Sequence, residues 1–129
     1  MADVTQISTE GAPQPAGHYA QATVAGGMVY ISGQLPIQPD GTGIMREDFE
    51  TQAEQAIANM IAILEAAGSD TANLARVTAY IVGAENWGIF NEIYGRMLPD
   101  ARPARTIVPV EELHYGYLVE IDAIAVLPG

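Results

Sequence analysis

Few side chains in this sequence are equipped for chemistry, and they stand in apolar surroundings. Arg105 heads the run Thr106-Ile107-Val108, and Glu120 and Asp122 interrupt the run from Val119 to Val126. A guanidinium among apolar side chains must find an anion, because burying it unpaired costs several kcal/mol. Two kinds of partner satisfy it. One is Glu120 or Asp122, as a structural ion pair; the other is the carboxylate of a small ligand, held in a planar bidentate clamp. Glu120 and Asp122 themselves point the same way if the segment is a strand, which brings both to one pocket or one interface. In apolar surroundings a carboxylate gains proton affinity and becomes a competent general acid or base near neutral pH. A structural pair, or an Asp122 at a solvated strand end, fits the same pattern.

Composition removes other chemistries. Sixteen acidic residues face five arginines and no lysine, for a formal net charge of −11. Arg46, Arg76, Arg96, Arg102 and Arg105 are scattered, only the last two being close in sequence, so no basic patch is available for a phosphate backbone. Without lysine there is no Schiff base, no covalent pyridoxal phosphate and no Walker-type phosphate loop. Without cysteine there is neither a thiol nucleophile nor a disulfide scaffold. His18 and His114 share no helix and no ligand spacing, which disfavours a metal site and a Ser-His-Asp triad. No cofactor is implied. The stretch Met1 to Glu10 lacks the apolar core of a signal peptide, and no run approaches the roughly 20 apolar residues of a membrane span. These features predict a soluble, cytoplasmic protein that meets neither nucleic acid nor membrane.

The elements that must position Arg105 and Glu120 follow from patterning. At 129 residues the chain is the size of one domain. Residues 1–16, with Pro13 and Pro15 among small polar residues, read as an irregular N-terminal segment, and a single domain is predicted over 17–129. Tyr19–Ala25 and Met28–Gly33 flank Gly26-Gly27, the signature of a tight hairpin. Glu47, Asp48 and Glu50 suit the positive end of a helix dipole, and an apolar stripe from Phe49 to Ala67 closes at Gly68. Leu74–Val82 predicts a strand, Asn86 can cap a second helix through about Met97, and Ala104–Val110 and Tyr117–Val126 predict the remaining strands. On the last strand Tyr117, Val119, Ile121, Ala123 and Ala125 share one face; Leu118, Glu120, Asp122, Ile124 and Val126 share the other. Charged residues are only 16% of the chain and apolar residues 49%. That balance suggests more buried surface than a monomer needs, as in an oligomer.

Five segments in register resemble the signatures of one family: Gly17-His18-Tyr19-Ala20-Gln21-Ala22, Ile31-Ser32-Gly33-Gln34-Leu35-Pro36, Phe90-Asn91-Glu92-Ile93-Tyr94, Pro103-Ala104-Arg105-Thr106 and Val119-Glu120-Ile121-Asp122-Ala123. The chain is thereby similar, from Gly17 to Val126, to the Rid (YjgF) family, whose older label is endoribonuclease L-PSP. The resemblance implies an α+β fold like chorismate mutase: a mixed six-stranded sheet with two helices packed on one face. It implies a homotrimer whose sheets form a central barrel, with active sites between subunits. In deaminating members the arginine of the PAR motif holds the substrate carboxylate and the glutamate of the last strand positions water, which implies those roles for Arg105 and Glu120. Tyr19, Ser32, Asn91 and backbone groups near Ile107 correspond to positions lining the cleft. Many members carry cysteine at 107 and proline at 18, where this chain has Ile107 and His18.

The activity so implied is hydrolysis of reactive 2-imino acids or enamines, such as 2-iminopropanoate and 2-iminobutanoate, to 2-keto acids and ammonia. It requires orientation through a carboxylate, a base for water and an apolar cleft, and no metal, lysine or thiol. Three alternatives accompany it. One is a pathway-specific enamine deaminase of the aminoacrylate or aminomuconate type, its choice set by the wall near His18, Ile107 and His114. Another is an endoribonuclease or translation inhibitor. The last is a ligand-binding or chaperone-like protein without turnover.

Overall fold

The structure, a computed structural model, describes residues 3–44 and 47–129. Met1, Ala2, Met45 and Arg46, the last among the scattered arginines noted above, lie outside the described residues. Among the described residues two α-helices form where the sequence predicts them. Helix α1 spans Phe49–Ala66, and its N-cap is Asp48, whose carboxylate accepts a hydrogen bond from the Thr51 N–H at 2.9 Å. It stops at Gly68, whose φ of +89° only glycine adopts without strain. Its buried face carries Ala53, Ile57, Met60 and Leu64 as the spacing requires, and it also buries two polar residues, Gln52 and Asn59. Both are tethers. The Gln52 side chain accepts from the Leu118 N–H at 2.8 Å, and the Asn59 amide donates to Leu35 O and Ile37 O at 3.1 and 2.8 Å. They fix the approach to the last strand and the loop after Gln34.

Six strands make one sheet: β1 (Thr5–Ile7), β2 (Ala22–Ala25), β3 (Met28–Gln34), β4 (Leu74–Val82), β5 (Ala104–Val110) and β6 (Val119–Val126). Their order is β1-β2-β3-β6-β4-β5. The β2–β3 hairpin turns on Gly26 and Gly27, at φ of +55° and +76°, the pair of positive angles that matches strand twist. Strand β6 runs antiparallel to both β3 and β4, while β5 runs parallel to β4 after helix α2 (Trp87–Met97). The sheet is therefore mixed. Strands β1 and β5 are its edges, and β5 carries Pro109, a residue confined to edges because it lacks a ladder donor.

Both helices contribute to one core with the inward residues of the sheet, among them Val29, Val77, Ala79, Ile81, Val119 and Ile121, all with no exposed surface. The opposite face has no helix on it. There Tyr30 and Val126 stand exposed, and Glu120, Asp122 and Ile124 half-buried. The alternation read from residues 117–126 is thus the observed one, although the strand starts at Val119. A 3₁₀ turn over His114–Gly116 precedes it.

Two expectations need correction. Residues 1–16 are not irregular throughout: Thr5–Ile7 pair with Ala22–Val24 as an edge strand. Three residues carry too little alternation to be legible alone, and the pairing is anchored elsewhere. Buried Gln21 accepts from the Thr9 N–H at 2.7 Å and donates to Thr9 O, Ala12 O and Pro13 O at 3.1, 3.3 and 2.9 Å. Asn86, at the start of α2, makes no side-chain cap; its amide donates back to Val82 O at 2.9 Å and closes the β4–α2 turn instead.

One side chain satisfying four backbone groups gives a direct test. Gln21→Leu leaves them without partners, and an unsatisfied buried group costs about 1–3 kcal/mol. Urea unfolding is expected to show a loss of about that size, with proteolysis between residues 8 and 16 accelerated; an unchanged midpoint would dismiss the clip.

Candidate functional site

Most of the side chains singled out by sequence line one of two clefts. The first, about 460 Å³ in volume, has Glu120, Ser32 and Gly33 at one wall and Tyr19, Pro15 and His114 at others. Strand β3 makes this wall by breaking register: its pairing with β6 jumps between Ile31 and Gln34, a bulge that contains Ser32 and Gly33. Glu120 lies against that bulge so closely that a Cβ on Gly33 would sit 2.7 Å from its Oε2. Glycine is needed there because a backbone must approach a carboxylate. The Ser32 hydroxyl donates to Ala20 O at 2.7 Å, and the Tyr19 hydroxyl accepts from the Ala16 N–H at 3.3 Å. Both residues pin the loop that covers the cleft.

Electrostatics single out the carboxylates. Burial pushes the Glu120 pKa above the usual glutamate value, and the neighbouring Asp122 raises it further, against a smaller lowering by His114. Burial also raises Asp122, which a hydrogen bond with Tyr80 and the charge of Arg76 partly offset. The Tyr80 phenol is raised in turn, Asp122 being the largest cause. The pair on β6 thus holds protons more tightly than exposed carboxylates do.

The second cleft, about 580 Å³, is lined by Arg105, Asn91, Tyr94 and Arg102. The Arg105 guanidinium carbon stands 4.8 Å from the Tyr94 ring centroid and 5.7 Å from that of Trp87. Cation–π attraction orients the planar group without neutralising it. Among the described residues no carboxylate pairs with Arg105; the ion pairs are those of exposed Arg96 with Glu50 and Glu54. Within one chain the structural bridge to Glu120 or Asp122 does not form, and the reason is geometric. Arg105 is in register with core-facing Val77, whereas Glu120 is in register with Tyr80 on the open face. The two side chains leave the sheet on opposite sides. In the same cleft the Tyr94 hydroxyl is buried with no hydrogen-bond partner among the described residues.

The remaining expected residues divide likewise. Tyr19 and Ser32 join Glu120; Asn91 joins Arg105; Ile107 points to the helix side and packs against the core. Of the residues expected to shape specificity, His114 lines the Glu120 cleft, while His18 is exposed and lines neither cleft. The sequence reading missed Gly33, Trp87, Tyr94 and Tyr115. Trp87, Asn91 and Tyr94 recur at helical spacing, a legible signal of one face. Tyr115 gave none: it lines the Glu120 cleft with φ of +61°, where a bulky residue is strained by about 1–2 kcal/mol.

Comparison with known proteins places this arrangement. Residues 9–127 match the family model described as endoribonuclease L-PSP. A RutC family protein of Pyrococcus horikoshii is 40% identical over 119 residues, covering 92% of this chain and 94% of that protein. The crystal structure of RidA from the Antarctic bacterium Psychrobacter sp. is 37% identical with a TM-score of 0.90, over 95% of this chain and 98% of that one. E. coli TdcF with bound serine is 33% identical, also with a TM-score of 0.90 and the same coverage.

The raised pKa of Glu120 has a consequence for stability. The folded chain binds that proton more tightly than the unfolded chain, so burial costs nothing below the ordinary glutamate range and destabilises the fold as pH rises through it to the raised folded value. Glu120→Gln, of equal size, is expected to melt roughly a few degrees higher at pH 7, the gap closing near pH 4. Calorimetry at both pH values checks this, and a lower melting temperature at pH 7 would contradict it.

Proposed function

Because the chain belongs to the endoribonuclease L-PSP family, the Rid (YjgF) group, we propose that it is a cytoplasmic deaminase hydrolysing 2-imino acids, among them 2-iminopropanoate and 2-iminobutanoate, to 2-keto acids and ammonia. The observation that carries this reading is Arg105: a guanidinium oriented by two rings, with no carboxylate partner among the described residues. Such a group is poised to take a planar anion from outside. Similarity to TdcF with bound serine supports a ligand bearing an α-carboxylate. A net charge of −11 weighs against carrying over the ribonuclease wording of the family description.

The opposite placement of Arg105 and Glu120 supports a site shared between subunits. One subunit offers Arg105 and Asn91 from the helix side of edge strand β5; the next offers Glu120, Ser32 and Tyr19 from its open sheet face. That face exposes Tyr30 and Val126 and has no helix to cover it, as expected of a surface buried in a trimer. In the site, Arg105 fixes the substrate carboxylate, which places the adjacent iminium carbon near Glu120. The Glu120 carboxylate takes a proton from water as the water oxygen bonds to that carbon. The proton then passes to nitrogen, and as the C–N bond breaks and ammonia departs, Glu120 takes the proton of the new hydroxyl and the carbonyl forms. A positioned base contributes about 10²–10⁴-fold.

The test uses 2-iminopropanoate made in situ by an amino-acid oxidase, with ammonia and keto-acid release measured. Wild type is expected to exceed the spontaneous rate, and Arg105→Ala and Glu120→Gln to lose at least about a hundredfold while remaining oligomeric. Refolding the two variants together at equal amounts is expected to restore activity in about a quarter of the sites, because a cyclic interface pairs each subunit with a different neighbour. No acceleration by wild type defeats the deaminase reading. No recovery on mixing defeats the shared site.

A further inference from the structure

In one subunit taken alone, before a neighbour closes it, the cavity beside Glu120 is larger than a small imino acid. Its volume is about 460 Å³, whereas 2-iminopropanoate carries only a methyl group beyond its reacting carbon, imino nitrogen and carboxylate. Glu120, Ser32 and Gly33 line this cavity alone; Ile37 and Tyr115 also line the groove next to it, so they form the partition away from the base. Pro15 and Leu35 add apolar surface, and Tyr19 and Tyr115 present rings that are 51% and 50% exposed. Two half-exposed tyrosines facing one cavity offer it ring surface beyond what His114 and Tyr117 cover on Tyr115.

Tyr115 is held there at some cost. At φ +61° the position suits glycine or asparagine, and an aromatic residue in the left-handed region marks a segment whose surroundings over-determine it. Its ring is clasped by His114, with centroids 3.8 Å apart, and meets Tyr117 edge-on at 6.3 Å. The Tyr117 hydroxyl in turn reaches Gly43, where a Cβ would lie 2.5 Å away, so the 37–44 loop is docked against the same ring cluster. The aromatic wall is fixed in place before any ligand arrives.

We infer that this cavity takes the substrate side chain, that the favoured substrates are 2-imino acids with large apolar and above all aromatic side chains, and that Tyr115 is the specificity-determining residue. The inference rests on the deaminase reading and is tested so that the two can fail separately. Imines of phenylalanine, leucine and alanine are generated by an amino-acid oxidase, and kcat/KM is measured for each with wild type, Tyr115→Gly and Tyr115→Phe. Glycine removes the ring while relieving the backbone, so that variant is not handicapped in folding. Wild type is expected to favour the phenylalanine imine over the alanine imine by about tenfold or more. Tyr115→Gly is expected to lose most of that ratio, and Tyr115→Phe to keep it. Equal rates for the alanine and phenylalanine imines in wild type, or a preference that survives in Tyr115→Gly, would overturn the assignment while the deaminase reading stands. Failure on every imine defeats the deaminase reading, and this inference with it.

Discussion

A β-sheet sends alternate side chains to opposite faces, and the functional geometry of this protein depends on that constraint. Arg105 shares its face with Val77, while Glu120 shares the other face with Tyr80. No rotamer reconciles them within one chain, since the sheet and its buried core lie between. The two groups that the proposed reaction needs are thus divided by the fold, and the proposed association of subunits would reunite them. The same alternation leaves one sheet face without helices, so the surface that needs a cover and the side chains that need a complement coincide.

Desolvation is the second theme. Strand β6 is the central ladder of the sheet, bonded on both sides, and it carries two carboxylates where apolar residues would be more stable. The bulge at Ser32-Gly33 and the missing side chain of Gly33 make room for one of them. A fold under selection for stability alone would not place glutamate against a glycine backbone there. What the arrangement achieves is a carboxylate that holds its proton more tightly than an exposed glutamate, as the proposed base requires.

Most of the scaffold was legible from residue pattern. The stripe from Phe49 to Ala67, the Gly26-Gly27 turn and the alternation after Tyr117 each announce an element because burial repeats at the period of the backbone. What escaped lacked such repetition. Strand β1 is three residues long, and its anchor is the remote amide of Gln21. Asn86 reads as a cap, yet in the folded turn its side-chain amide donates to Val82 O and no helix N–H is capped by it. At the site, motif resemblance pointed to Arg105 and Glu120, but the separation of their clefts depends on strand register, which a single sequence does not print. Tyr94 and Trp87 support Arg105 through a face of α2 that looks like ordinary packing until the strand beside it is placed.

Pro109 in edge strand β5 bears on how copies of the chain meet. An uncapped edge of seven residues, Ala104–Val110, rich in β-branched types, is a template on which another chain can add a strand, the first step toward open-ended fibres. A proline in that edge interrupts the row of donors such a strand would need. Edge-to-edge growth is disfavoured at the very strand that carries Arg105, which favours contacts made through faces over contacts made through that edge.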